Sequence, residues 1–193
     1  MAENNSTYMI EKYNDFLKKN GIPKIKGEKG INSYKGEYIA NLITKNYYKN
    51  ILEIGRAFGY SYGLFRFFSP KSYIVSIDII EQEKANNTMR VFNDKKCKFI
   101  TGNSFKVKDL DIIFDLVLID GDHSYDWAKK DWDNIQNNLS KNAIVIFDDT
   151  VIGSEGVNKV FEEIKEEKYR PVQNLGIIKI NKYINIINII KHG

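Results

Sequence analysis

Apolar and polar positions alternate in blocks along this chain. Short apolar runs recur at Asn50–Ile54, Tyr73–Ile77, Lys98–Thr101, Asp115–Ile119 and Ala143–Phe147. Such β-branched runs, without strict alternation, read as strands buried on both faces of a parallel sheet. Between them lie stretches with helical spacing. Tyr8–Lys19 closes on Asn20-Gly21, a C-cap signal, and Tyr34–Tyr48 carries Tyr38, Ile39, Leu42 and Ile43 on one face. A Gly-bearing turn leads into a helix through Phe68, and further helices are predicted over Glu81–Asn93, Tyr125–Asn138 and Glu155–Lys168. Gly21–Ser33, with Pro23, Gly27 and Gly30, reads as loop. This alternation predicts an α/β domain, Rossmann-like, with helices on both faces of the sheet. The end of the chain differs. Tyr169–Gln173 and Gly176–Ile180 are joined only by Asn174-Leu175, too short for a crossover, so they should pair antiparallel. The expectation is a mostly parallel seven-stranded sheet ending in an antiparallel hairpin.

Two of the apolar runs end in carboxylates. Leu116–Ile119 meets Asp120 and then Gly121-Asp122-His123, and Ala143–Phe147 meets Asp148-Asp149. Ligands of open α/β sheets bind beyond the carboxyl ends of the strands. Asp120, Asp148 and Asp149 should therefore share one edge with His123, and three acidic groups together call for a cation. Adjacent aspartates after a strand also serve as helix caps or bind turn amides. His123 has three readings: a general base, a further metal ligand, or a structural residue.

The first strand runs into Leu52-Glu53-Ile54-Gly55-Arg56-Ala57-Phe58-Gly59-Tyr60-Ser61. Gly55 and Gly59 permit a tight turn and close approach of backbone to a ligand. Asp78, ending the second strand, is placed to meet ribose hydroxyls. Ala57 stands where a dinucleotide fingerprint has its second glycine, so a cofactor without phosphates fits at least as well.

Bulk composition narrows the class. A chain of 193 residues, 42% hydrophobic and 28% charged, suits one soluble domain with a single large core. The net charge of +4, from 29 basic and 25 acidic residues, is too mild to mark a nucleic-acid binder. The single cysteine, Cys97, rules out an intramolecular disulfide and fits a reducing, cytoplasmic setting as a structural thiol. No stretch has the apolar length of a signal core or a membrane span.

The loop from Leu52 to Ser61 resembles motif I of class I S-adenosylmethionine-dependent methyltransferases. Within these, Leu52-Glu53-Ile54-Gly55 with Gly59-Tyr60-Ser61 resembles the metal-dependent O-methyltransferases of the catechol type. Asp120–Tyr125 with Phe147-Asp148-Asp149 is closer to the sugar and macrolide O-methyltransferases. The resemblance spans about Tyr34 to Ile180 and implies the class I methyltransferase fold over one domain, 1–193. Residues 1–33 would form an N-terminal helix and partial lid, 34–181 the catalytic core, and 182–193 a C-terminal packing element.

It also implies a set of roles. Gly55, Ala57 and Gly59 would line the methionine part of S-adenosylmethionine, with Ser61 near its carboxylate and Glu53 supporting the loop. Asp78 would bind ribose and Ile79 would pack on adenine. Asn103 and Ser104, beside Phe105, would meet the adenine edge, and Gly30-Ile31 would cover the cofactor. Asp120, also beside the cofactor, would join Asp148 and Asp149 around a divalent metal, Mg²⁺ first, with His123 as base or fourth ligand. Asp122 and Tyr125 would orient the base or touch substrate. Asp126, Asp131 and Asp133 would be surface or supporting groups, and Trp127 and Trp132 packing residues. The implied reaction is methylation of a small-molecule hydroxyl, as in a catechol or sugar diol. Many relatives dimerise, which leaves a homodimer open. A nucleic-acid methyltransferase would want an Asn-Pro-Pro-Tyr-like motif after the fourth strand, which is absent. A non-catalytic cofactor-binding protein of the same fold is the other alternative.

Overall fold

A computed structural model describes residues 8–22, 33–150 and 155–181. The expected Gly30-Ile31 cover, most of the lid and the 182–193 packing element lie outside these residues. The strands are β1 (Asn50–Ile54), β2 (Tyr73–Asp78), β3 (Cys97–Thr101), β4 (Phe114–Ile119), β5 (Leu139–Asp148), β6 (Glu167–Val172) and β7 (Leu175–Lys179). The helices are α1 (Tyr8–Lys19), α2 (Ser33–Lys45), α3 (Tyr60–Phe68), α4 (Glu83–Val91), α5 (Tyr125–Ile135) and α6 (Glu155–Glu163). The sheet runs β3-β2-β1-β4-β5-β7-β6. β1 to β5 are parallel, and β7 inserts antiparallel between β5 and β6. The order reverses between β1 and β4, and that crevice is where such sheets bind ligands.

Alternate residues of the central strands feed two cores. Leu52, Val75, Val117, Val145 and Phe147 face α5 and α6, meeting Trp132, Ile135 and Phe161. Ile51, Ile74, Leu116, Leu118 and Ile146 face the other layer, where Tyr13, Ile39, Tyr62 and Phe65 pack. Burying each large apolar side chain contributes roughly 1.5–3 kcal/mol. This two-sided burial explains why the strands show no clean polar alternation. Among the described residues, no helix is long and apolar enough to cross a membrane.

The start of α1 is fastened by a buried group of α2. The Glu37 carboxylate of α2 accepts from the backbone N–H of Met9 at 3.1 Å and Ile10 at 2.9 Å. These are donors that a helix start otherwise leaves without partners. Tyr13 then donates its hydroxyl to the Tyr60 carbonyl at 2.8 Å. A Cβ on Gly63 would sit 2.1 Å from that hydroxyl, so this glycine sets how closely α1 lies on α3.

Several boundaries depart from expectation, α2 ending at Lys45 and α5 at Ile135 among them. α6 ends at Glu163 rather than Lys168, because the Lys168 ammonium folds back onto the carbonyls of Phe161 and Ile164 at 3.0 and 2.9 Å. A cation is favourable at that end of a helix. β5 begins at Leu139, four residues before the apolar run, pairing with Phe114 across a bulge. After β3 a 3-10 helix, Ser104–Asp109, starts where the Asn103 side chain accepts from the Phe105 N–H at 3.2 Å.

Candidate active site

The two loops at the switch point are pressed together. Gly55 has φ +91°, and a Cβ there would lie 1.9 Å from the Asp120 carbonyl oxygen. Gly55 donates to the Ile77 carbonyl and Asp120 to the Ile54 carbonyl, at 2.9 and 2.8 Å. Ala57 also lies at positive φ, 42°, and its N–H donates to Asp78 Oδ2 at 2.7 Å. The other Asp78 oxygen accepts from the Ile80 N–H at 3.0 Å. Asp78 thus ties the β1 loop to the end of β2. A Cβ on Gly59, φ +83°, would lie 2.9 Å from the Ala85 Cα, so this glycine lets the start of α3 lie close on α4. Beside Asp78 and Asn103, large apolar side chains stand open: Ile79 is 72% exposed, with Ile80 and Phe105 also out in solvent.

Beneath the loop, Glu53 is fully buried and accepts from the hydroxyls of Ser61 and Ser76. Burial pushes its carboxyl up to about 7, although both hydroxyls and Arg56 oppose the shift. The buried Arg56 donates to the Ser76 carbonyl at 2.7 Å and lies 4.3 Å over the Phe99 ring. Ser61 therefore faces Glu53, inward from the loop. Ser104 is likewise buried, its hydroxyl accepting from the Asn134 amide at 2.9 Å.

Asp131, expected only as a surface or supporting group, is buried under the β4 loop. Burial holds its carboxyl up at about 6, with Ser104 hydrogen-bonded to it. A Cβ on Gly121 would come 3.0 Å from Asp131 Oδ2. Asp126 and Asp133 are exposed, and Asp133 pairs with Lys129. Trp132 packs on Phe147 with ring centroids 5.9 Å apart, and Trp127 lies near the surface under Lys130. Asp122 accepts from the Ser124 N–H at 2.8 Å, closing the turn into α5, and Tyr125 donates to Glu163 at 2.7 Å.

At the carboxyl ends of β4 and β5, His123 lies near both Asp120 and Asp149. His123, with a side chain 44% exposed, places Nδ1 3.3 Å from Asp149 Oδ2 and Nε2 3.9 Å from Asp120 Oδ1. Asp120 chiefly raises its pKa, burial opposes this, and the charges of Asp149, Asp120 and Asp148 add to the rise. Burial pushes the Asp120 carboxyl up to about 7. Asp149 has φ +56°, in the left-handed region that Asp adopts more readily than most residues other than glycine. Consecutive strand residues point to opposite faces. The left-handed turn after β5 breaks that alternation and brings Asp148 and Asp149 to the same partner.

That partner was not read from the sequence. Lys35, in the first turn of α2, places Nζ 2.5 Å from Asp148 Oδ1 and 3.0 Å from Asp149 Oδ1. The Lys35 and Asp148 side chains are only 4% and 1% exposed. Burial disfavours the ammonium, but the two carboxylates outweigh it and hold its pKa above the ordinary value. The expected magnesium does not fit this arrangement, because an ammonium already lies between two of its three presumed ligands. Among the described residues no three acidic, His or Cys side chains are gathered to hold an ion.

Residues 52–150 match the family model of a methyltransferase domain. The chain belongs to that family. By family and fold it is a class I S-adenosylmethionine-dependent methyltransferase. No curated protein matches its sequence. Among solved structures, it is similar to the methyltransferase PaMTH1 of Podospora anserina, bound to S-adenosylhomocysteine. The TM-score is 0.71 and the identity 17%, over 87% of this chain and 86% of that one. The O-methyltransferase TomG of Streptomyces achromogenes, of tomaymycin synthesis and bound to S-adenosylmethionine, gives 0.67 and 16%, over 90% and 89%. MycE of the mycinamycin pathway, solved with Mg, S-adenosylhomocysteine and mycinamycin VI, gives 0.65 and 12%, over 88% of this methyltransferase and 53% of MycE.

Proposed function

We propose that this methyltransferase moves the methyl group of S-adenosylmethionine onto a hydroxyl oxygen of a small molecule, a catechol or a sugar diol being the class to try first. The observation that carries the reading is His123. It is a half-exposed imidazole at the end of β4, braced by Asp149 and facing the crevice edge that the Gly55 loop shares. TomG is an O-methyltransferase and MycE was solved with a macrolide, which supports an oxygen acceptor on a small molecule.

The cofactor fits the residues present. Gly55 and Gly59 offer backbone with no room for side chains, Ala57 between them is exposed with its N–H held by Asp78, and Asp78 keeps lone pairs for ribose hydroxyls beyond its two loop contacts. The exposed Ile79 and Phe105 offer apolar faces to adenine, with the Asn103 amide nitrogen at its edge. Ser61 and Ser104, turned inward, support these groups from behind. Bound S-adenosylmethionine supplies an electrophilic methyl on a sulfonium. The chain must orient the acceptor in line and remove its proton. The oxygen–carbon bond forms as the carbon–sulfur bond breaks, the electron pair leaves with sulfur, and the hydroxyl proton goes to His123 Nε2. Asp149 at Nδ1 holds the ring and stabilises the imidazolium. No divalent ion enters this reading, because Lys35 stands between Asp148 and Asp149.

Transfer of radiolabelled methyl to a panel of catechols and sugar diols tests the proposal. His123→Ala should lower kcat about 10²–10⁴-fold while cofactor affinity, read by calorimetry, is kept. Unchanged turnover in that variant would remove His123 as base. Product that carries the label on nitrogen or carbon would overturn the O-methyl reading.

A further inference from the structure

We propose that Lys35 is the resident cation of the acidic edge, so that this methyltransferase works without a divalent metal. The inference rests on the methyl-transfer reading for its consequence, but not for its geometry. Asp148 and Asp149 end β5, and both aim one carboxylate oxygen at the same ammonium, at 2.5 and 3.0 Å. Asp148 is buried while Asp149 is 27% exposed, and two adjacent carboxylates repel each other less when a cation lies between them. Lys35 is that cation. A divalent ion entering beside it would bring positive charge against a buried ammonium.

The lysine is also fixed in place. Two residues on, Glu37 anchors α2 to the start of α1, and Tyr38 shares a hydroxyl contact of 3.0 Å with Tyr169 of β6. Ile39 and Ala40 are buried in the core. These contacts fix the backbone from which Lys35 reaches the two carboxylates. Lys35 therefore acts as a positioning residue. It holds Asp149, and Asp149 holds His123 Nδ1 at 3.3 Å. Both Asp148 oxygens are buried with the Lys35 ammonium as an ion-pair partner but no hydrogen-bond donor among the described residues, so without that ammonium they would join Asp149 as a donor set suited to a hard cation.

Mn²⁺ alone is the probe, read by electron paramagnetic resonance on the chelator-treated full chain, so no acceptor has to be known. Wild type should bind Mn²⁺ no more tightly than about 1 mM. Lys35→Met, checked for its fold by circular dichroism, should bind at least ~10-fold more tightly. Micromolar binding by wild type, lost in Asp148→Asn, would overturn the proposal. So would a folded Lys35→Met that gains no affinity. If that variant does not fold, the wild-type titration decides by itself. Where an acceptor is found, wild-type turnover should be indifferent to chelator. Failure of the methyl-transfer reading would appear separately, as absent S-adenosylmethionine binding in calorimetry.

Discussion

At the scale of single residues, the site is governed by buried charges whose partners decide their state. Glu53 is the clearest case. Its carboxyl has an ordinary value of 4.5 and is held at about 7 in the fold, chiefly by burial. The folded chain therefore keeps this proton more tightly than the unfolded chain does. The associated stability is fully present below about pH 4.5 and is lost as pH rises through about 7, for a total of about 3 kcal/mol. Urea midpoints at pH 5 and pH 8 should show wild type losing stability between them, and Glu53→Gln losing clearly less. Equal losses would mean that other groups set the pH response. Glu53, Asp120, Asp148 and Asp149 were all legible in the sequence, because each adjoins an apolar run whose burial fixes where its end must lie. Lys35 was not. Its contact to Asp149 spans 114 positions, and nothing local distinguishes it from the other lysines of the chain. Asp131 stays open in the sequence between surface and supporting group, because on an amphipathic helix rich in Asp and Lys spacing alone does not show that this aspartate turns beneath the Gly121 turn.

At the scale of elements, the catalytic loop is shaped by what packs behind it. Gly156, in the first turn of α6, has no room for a side chain. A Cβ would come 2.4 Å from the His123 carbonyl oxygen and 2.3 Å from the Tyr125 N. Both neighbours are backbone, so neither can swing aside. Gly156→Ala should push the β4–α5 loop outward, costing about 1–3 kcal/mol of stability and ~10-fold or more in kcat through misplacement of His123. S-adenosylhomocysteine affinity should hold, because the Gly55 loop belongs to β1 and α3. Thermal melts, turnover and calorimetry on one preparation check the three expectations, and a weakened cofactor site would show that the disturbance spreads across the sheet. The strands and helices themselves were mostly readable, since two-sided burial writes continuous apolar runs and helices write a spaced pattern. The end of α6 was not, because Lys165–Lys168 continues the charged face of a helix. Only the return of the Lys168 ammonium onto the α6 carbonyls shows where that helix stops. The 3-10 helix after β3 was missed because a single side-chain cap at Asn103 starts it.

At the scale of the whole molecule, the sheet order turns scattered sequence segments into one crevice. The chain pattern implied an antiparallel final pair. It did not show that β7 would lie inside, against β5, with β6 at the edge, since either arrangement satisfies the short connection. The inner position of β7 covers β5 on its far side and leaves the carboxyl ends of β1, β2, β4 and β5 as one ligand-facing edge. A ligand bound across that edge must therefore stabilise the fold as a unit. At about 100 times its dissociation constant, S-adenosylhomocysteine should add roughly 2.7 kcal/mol, or ~5–10 °C in Tm for a chain of this size. Mg²⁺ should add no comparable shift, because the ammonium of Lys35 already lies between Asp148 and Asp149. Differential scanning fluorimetry with each ligand alone and both together separates the cases. A shift with the nucleoside and none with the ion is the expected pair. A Mg²⁺ shift comparable to that of S-adenosylhomocysteine, abolished by Asp148→Asn, would mean that the ion displaces the lysine and that α2 moves to admit it.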